Sequence, residues 1–378
     1  MQKLLAVIIG GIADHAVDGL GRRTPLQVAR TPNLDHLSIL GGCGVYHPTT
    51  LGEAVSPDYS LYIMLGNPPE RYPGRAAFEA LGRSHKLSEG KYYVLFEPAV
   101  VERNVLIEKK PFESKKEEED FFLFLRNRLK KVQRLDCGLY LYESDKFVHS
   151  CHPWVTGREV KIKSDECVPC DLPSEWEGNK NRAAKGLQPI NYLLPYGCGR
   201  YHKNDFKKMP LKLLFITDST FFCGMVRWMG YECEMVEKDS PRELLLSMLD
   251  KAYKSLKEVD GVFIYTDFIH KSNIQFRAWK RVEIIEEMDA AIAFIIDKFL
   301  AENVIILVTS DVTTPSVGSI PYSGLPVPVI LAGEGVRRGI ASKFDEAIAP
   351  TGSLGVLKGG ELLLTILSYM GKITPTGF

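Results

Sequence analysis

Five short apolar runs rich in β-branched residues, with helical sequence between them, constrain this chain most. They are Leu4–Ile9, Lys212–Ile216, Gly261–Tyr265, Val304–Thr309 and Pro326–Leu331. Each is too short for a helix and lacks the polar alternation of a half-solvated strand, so each reads as a strand covered on both faces. Strands that alternate with helices make a largely parallel sheet. The helical signals agree. Ser240-Pro241-Arg242-Glu243 supplies an N-cap, a proline at the first position and a capping-box glutamate. Ala278, Val282, Ile285, Met288, Ile292, Ile295 and Phe299 recur at three- and four-residue spacing and give one apolar face. The expected fold class is therefore α/β, with a mostly parallel central sheet and helices on both faces. Sites in such sheets gather beyond the C-terminal ends of the strands, where Asp267 and Asp311 fall.

The middle of the 378-residue chain differs in style. Short strands, a charged helix and turn-rich segments replace the long apolar runs. Ser114–Val132 has acids first and bases last, as a helix dipole favours, with Phe121, Phe124, Leu125 and Leu129 on one side. We expect a core domain formed by 1–90 and 178–378, and a smaller inserted α+β domain at 91–177. A formal net charge of zero provides no global field toward nucleic acid or anionic lipid. The apolar run from Leu4 to Ile12 is too short to span a bilayer and lacks a signal-peptide cleavage pattern, so no membrane association is expected. The expected location is the cytoplasm, where the eight cysteines serve as thiols or metal ligands.

Several motifs, taken in order, carry a family likeness. They are Thr31-Pro32-Asn33-Leu34-Asp35-His36-Leu37, the stretch from Gly74-Arg75 to Leu81-Gly82, Asn179-Lys180-Asn181-Arg182 with Gly186–Asn191, and Ser323-Gly324-Leu325-Pro326-Val327-Pro328. The chain resembles the archaeal-type cofactor-independent phosphoglycerate mutases of the alkaline phosphatase superfamily. That resemblance implies an alkaline-phosphatase-like fold. It also implies phosphoryl movement between the 3- and 2-positions of glycerate through a phosphoserine, with a pair of manganese or zinc ions. Such chemistry needs an activated serine, paired cations for the phosphate oxygens and arginines for the carboxylate. Position by position this sequence departs from the pattern. The family's first-strand aspartate falls on Gly10 and its nucleophilic serine on Pro57, beside Ser56. Its Asp-His pair becomes Asp311-Val312, and the histidine before Ser323 becomes Tyr322. An Asp-x-x-x-His becomes Asp267-Phe268-Ile269-His270, one residue short. An expected lysine falls on Cys223 and an expected arginine on Tyr196. Asp267, His270 and Asp311 remain as vestigial counterparts of metal ligands, or as carboxylates that cap helices and pair with bases. Arg75 and Arg182 remain either as an anion clamp or as ties within the fold. Ser56 serves as a nucleophile only if its turn is rebuilt, since a residue before proline favours extended backbone. The family's metal pair is expected to be absent.

Two further features stand apart from that likeness. Cys151-His152 and Cys167-Val168-Pro169-Cys170 have the look of a structural zinc site, with the fourth ligand open among His152, His149 and Cys137. The alternative is a set of ordinary buried thiols. From Gly178 to Lys212 there are eight basic residues against Asp205 alone, or +7, with tyrosines interleaved. This segment reads either as a solvated face or as an RNA- or ribosome-binding strip centred on Lys203, Lys207 and Lys208. The leading expectation is a catalytically inactive relative that acts as a binding or scaffold protein for a macromolecular partner. The alternatives are an active mutase or phosphatase rebuilt around Asp14, Ser56, Asp267, His270 and Asp311, and an RNA-associated factor.

Overall fold

A computed structural model describes all residues except 1, 154–155, 161–168, 206–208, 210, 273–276, 319 and 374–378. In chain order the strands are β1 (Lys3–Ile9), β2 (Gly42–His47), β3 (Tyr92–Glu102), β4 (Val105–Lys109), β5 (Val132–Asp136), β6 (Leu139–Ser144), β7 (Tyr192–Arg200), β8 (Leu213–Thr217), β9 (Glu232–Met235), β10 (Gly261–Thr266), β11 (Val304–Thr309), β12 (Val327–Ala332) and β13 (Gly355–Lys358). The chain divides into two compact units, 1–71 with 206–378, and 72–205.

The larger unit is built on an eight-stranded sheet in the order β13-β2-β12-β11-β1-β10-β8-β9. β1 runs parallel to both β10 and β11, and β8 and β9 continue that direction, while β12 is antiparallel to β11 and β2. The five apolar runs of the sequence are the strands β1, β8, β10, β11 and β12. From Leu4 to Ile9 no residue of β1 is more than 1% exposed, as a strand covered on both faces requires. Helix Pro241–Ser255 starts where its cap predicts: Ser240 Oγ accepts from the Glu243 N–H at 3.4 Å. Helix Ala278–Lys298 buries Ile285, Met288, Ile292 and Ile295 against the same core, while Val282 packs separately with Val17 and Leu20.

That helix also explains the Thr31–Leu37 motif. Asp289 is buried in it, and its carboxylate accepts the N–H groups of Asn33 (3.2 Å) and Leu34 (2.8 Å) and the Asn33 side-chain amide (3.0 Å). These are orphan donors at the start of helix Pro32–Leu40, so the motif is a docked helix N-terminus.

The smaller unit is α+β. A five-stranded sheet in the order β4-β3-β6-β5, with β7 also on β3, is antiparallel throughout. Helix Lys115–Arg128 covers it, capped by Ser114 Oγ on the Glu117 N–H at 3.2 Å, with Phe121 edge-on to Trp176. This unit is wider than the 91–177 expected from the sequence. β7 belongs to it because it pairs along β3, and the 75–82 helix belongs because its leading loop meets β7. A Cβ on Gly74 would sit 2.6 Å from the Gly199 nitrogen.

Candidate functional site at the strand ends

β1, β8, β10 and β11 end side by side and deliver Gly10-Gly11, Asp218, Asp267 and Asp311 to one edge of the sheet. Asp311 is fully buried and its two oxygens are saturated from within the chain. Oδ1 accepts from the Gly11 N–H (2.9 Å), the Val312 N–H (2.7 Å) and Ser310 Oγ (3.3 Å). Oδ2 lies 2.9 Å from His270 Nε2 and 3.0 Å from the Tyr265 hydroxyl. The same hydroxyl is 3.1 Å from Asp267 Oδ1, so one phenolic proton serves two carboxylates. Burial pushes the Asp311 carboxyl up, but the His270 charge, its hydrogen bond and the two backbone N–H groups together hold it below its ordinary value. His270 moves the other way. Burial lowers it, and the Asp311 carboxylate outweighs that and raises it above its ordinary value. The result is a buried, mutually stabilising His270–Asp311 pair.

The neighbouring carboxylates are matched in the same manner. Asp218 Oδ1 accepts the Asp267 N–H at 2.8 Å, while Lys271 Nζ reaches Asp218 Oδ2 at 3.2 Å and also its carbonyl oxygen. Asp14 Oδ2 accepts from Arg281 Nη1 at 2.7 Å, and its Oδ1 accepts from the His15 and Ser316 N–H groups. Arg281 is 1% exposed and also donates to the Thr314 carbonyl. Three basic side chains of the chain itself, His270, Lys271 and Arg281, thus pair with this cluster of acids.

Those contacts decide whether the donor set fits a pair of divalent cations. A Cβ at position 10 would lie 2.9 Å from Asp311 Oδ2, 2.9 Å from the Tyr265 hydroxyl and 3.0 Å from the Thr266 carbonyl. The place of a first-strand carboxylate is filled by a phenol. Val312 is buried, and Tyr322 presents its ring edge-on to His270 at 6.3 Å. Neither an isopropyl group nor a phenol replaces the lost imidazoles as a ligand, and His270 Nε2 is already engaged by Asp311 Oδ2 at 2.9 Å. Asp267, His270 and Asp311 come together as the sequence suggested, but as an ion-paired network. The donor set does not fit a metal pair.

Helix Pro57–Met64 begins at Ser56, whose backbone is extended (φ −77°, ψ 155°) and whose hydroxyl caps no backbone group. Pro57 takes the first helical position. The helix is tied to this edge by Ser60 Oγ, which donates to the Asp311 carbonyl at 2.6 Å. Tyr265, Ser60, Asp218, Lys271 and Arg281 were not singled out in the sequence. Arg281 alone carried a usable signal, because it sits on the apolar stripe that continues through Ile285, Met288 and Ile292.

Glu346 lies beside the Asp14 pair, accepting from the Asp14 N–H (3.0 Å) and the Thr24 hydroxyl (2.7 Å). Burial raises its carboxyl from an ordinary 4.5 to about 7. A raised acid is protonated in the fold while the unfolded chain is already ionised. Stability should therefore fall as pH rises from about 4.5 to about 7 and level off above that. Glu346→Gln should remove this decline and leave the protein about 1–3 kcal/mol more stable than wild type above pH 7, read by urea unfolding across pH.

The remaining candidates behave differently. Arg182 is 3% exposed, with Nε on the Gln188 carbonyl (2.7 Å) and Nη1 on the Pro111 carbonyl (2.6 Å) and Glu117 (2.8 Å), so it ties the smaller unit together and is not an open anion clamp. Arg75 pairs with Glu79 at 3.2 Å. His152 turns to Glu97, with Nε2 at 2.9 Å, and its ring meets Tyr196 at 5.0 Å. Burial keeps His152 below its ordinary value. Burial also raises Glu97, but the His152 hydrogen bond and the nearby lysines bring it down to about 2. Cys151 and Cys170 instead meet at the Tyr192 hydroxyl, and Cys167 lies outside the described residues. Among the described residues no group of three or more His, Cys, Asp or Glu side chains is placed to hold a metal. Lys203 is exposed, and Lys207 and Lys208 lie outside the described residues. Arg182 and Lys185 of the basic segment are already paired with Glu117 and Glu113, so the +7 run is not one continuous positive strip. No described helix is long and apolar enough to cross a membrane.

Comparison with known proteins places this arrangement in a lineage. A family model described as 2,3-bisphosphoglycerate-independent phosphoglycerate mutase matches residues 39–187, and one described as the metalloenzyme superfamily matches residues 242–368. The chain is 27% identical to the 2,3-bisphosphoglycerate-independent phosphoglycerate mutase of Pyrococcus furiosus, across 100% of this chain and 99% of that protein. A Pyrococcus horikoshii protein of known structure shares the fold at TM-score 0.79 and 24% identity, covering 100% of this chain and 99% of that one. The cofactor-independent phosphoglycerate mutase of Thermoplasma acidophilum shares it at 0.60 and 21%, covering 98% and 99%. By motifs, by matched family models and by relatives along its whole length, the chain belongs to the archaeal-type cofactor-independent phosphoglycerate mutase family.

Proposed function

We propose that this chain is a non-catalytic member of the mutase family, retained as a binding or scaffold protein. The observation that carries the reading is the saturated Asp311 carboxylate, whose basic partner is His270 and whose neighbouring ligand position is filled by the Tyr265 hydroxyl. Phosphoryl transfer through a serine needs an activated hydroxyl and paired cations, and here the nucleophile position is a proline ring and the acids are matched internally. Loss at several positions together, with the sheet and helix-docking motifs kept, fits relaxed catalytic demand better than a single substitution would. A cleft of about 600 Å³ at the ends of β8 and β9, lined by Asp218, Glu237, Lys238, Phe268 and Lys271, offers a surface that a partner could use.

The test is direct. The full chain is incubated with 3-phosphoglycerate and excess manganese or zinc, and 2-phosphoglycerate is measured by coupled assay. No turnover above the rate without protein is expected. Metal-dependent turnover that is lost in Asp311→Ala would establish the competing reading, an active enzyme with a rebuilt centre.

A further inference from the structure

Cys223, at the position where the family's lysine was expected, and Cys233 take no part in the strand-end network described above. Helix Thr220–Trp228 follows β8 and packs on the face of the sheet that bears Phe215, with the Phe222 and Phe215 rings 6.1 Å apart. β9 pairs with β8 in parallel, and its register sets Cys233 opposite Phe215, so both side chains leave the same face. Tyr231, two residues earlier, follows that alternation, with its ring 5.4 Å from Phe215. Cys233 is thereby aimed at the helix, and its thiol hydrogen-bonds to Cys223. Cys223 is fully buried, whereas Cys233 is half-buried on the last strand of the sheet. Both are free thiols. Their environments are unequal. The hydrogen bond from Cys233 holds the Cys223 thiol below its ordinary value against burial, and Arg227, one turn along the helix, assists. Cys233 is pushed up, first by giving that hydrogen bond and then by burial.

We propose that Cys223 and Cys233 form a dithiol oxidation site that a hydroperoxide closes to a disulfide. The thiolate of the pair attacks the terminal peroxide oxygen. An S–O bond forms, the O–O bond breaks, and the alkoxide leaves and takes up a proton as the alcohol. The second sulfur then displaces hydroxide from the sulfenic acid, forming S–S, and the hydroxide leaves as water with the second proton. Two thiols and one hydroperoxide give one disulfide, one alcohol and one water, with two electrons passing from sulfur to peroxide. The bridge ties the edge strand β9 to the helix that covers it, so the oxidised protein opens less readily at that edge.

The experiment uses the reduced full-length chain, hydrogen peroxide and subsequent alkylation. The expected product has lost two hydrogen atoms in mass. It accepts alkylation at six cysteines, the eight of the chain minus two. Proteolysis yields a reducible cross-link between the Cys223 and Cys233 peptides, and the melting temperature is higher than that of the reduced chain. Cys223→Ser and Cys233→Ser each abolish the cross-link. The proposal is overturned if peroxide leaves Cys223 and Cys233 open to alkylation while bridging another pair such as Cys151 and Cys170. It is equally overturned if Cys233 proceeds to sulfinic or sulfonic acid without a bridge. The wild-type peptide map decides between these outcomes even if a serine variant fails to fold.

Discussion

Replacing Asp311 with alanine is expected to destabilise the larger unit by about 3–5 kcal/mol, measured by urea unfolding in the presence of a chelator. Asp311 is the shared acceptor for His270, Tyr265 and the N–H groups of Gly11 and Val312. Its removal leaves a buried imidazole and two buried N–H groups without an acceptor at that point, which is the costly way to break a buried network. The chelator matters for interpretation. An aspartate serving chiefly as a metal ligand would, in metal-free protein, be one of several crowded and mutually repelling carboxylates, and its removal would cost little or even stabilise. A loss below about 1 kcal/mol in chelator would therefore remove Asp311 from the structural role assigned to it.

Arg281 is expected to be as costly. It is 1% exposed and holds Asp14 at 2.7 Å across 267 residues of sequence. Burial lowers its own value, with Asp14 and Glu346 opposing that shift. Arg281→Ala leaves the Asp14 carboxylate buried without its cation, and Asp14→Ala leaves the guanidinium without its anion. Each single variant should lose about 3–5 kcal/mol. The double variant removes both charges together and should lose clearly less than the sum of the singles, a coupling on the order of 1–3 kcal/mol. Additive losses in a double-mutant cycle would mean that the pair is incidental to the packing around it.

Much of the fold was legible because it depends on local pattern. The five apolar runs became strands with their bounds shifted by a residue or two, and Ser240 capped its helix as read. Asp267 and Asp311 stand at strand ends, where a parallel sheet had to put them. What the sequence did not reveal depends on partners distant along the chain. Tyr265 looks like one more buried strand residue until β1, β10 and β11 align and bring its hydroxyl between two carboxylates. The Thr31–Leu37 motif is explained by Asp289, more than 250 residues away. The smaller unit was drawn too narrowly because β7 finds its partner β3 about a hundred residues upstream, beyond any local signal. His152 was read with its cysteine neighbour, but β3 offers it Glu97 instead.

The proposed function rests on basic groups of the chain itself, His270, Lys271 and Arg281, standing where a metal pair would be held. Metal content per chain tests it most directly: wild type and Asp311→Ala are equilibrated with excess manganese or zinc, dialysed, and analysed by elemental mass spectrometry. Equal retention by the two proteins, with none attributable to the strand-end carboxylates, is the predicted result. A pair of ions held by wild type and lost on changing Asp311 would contradict it.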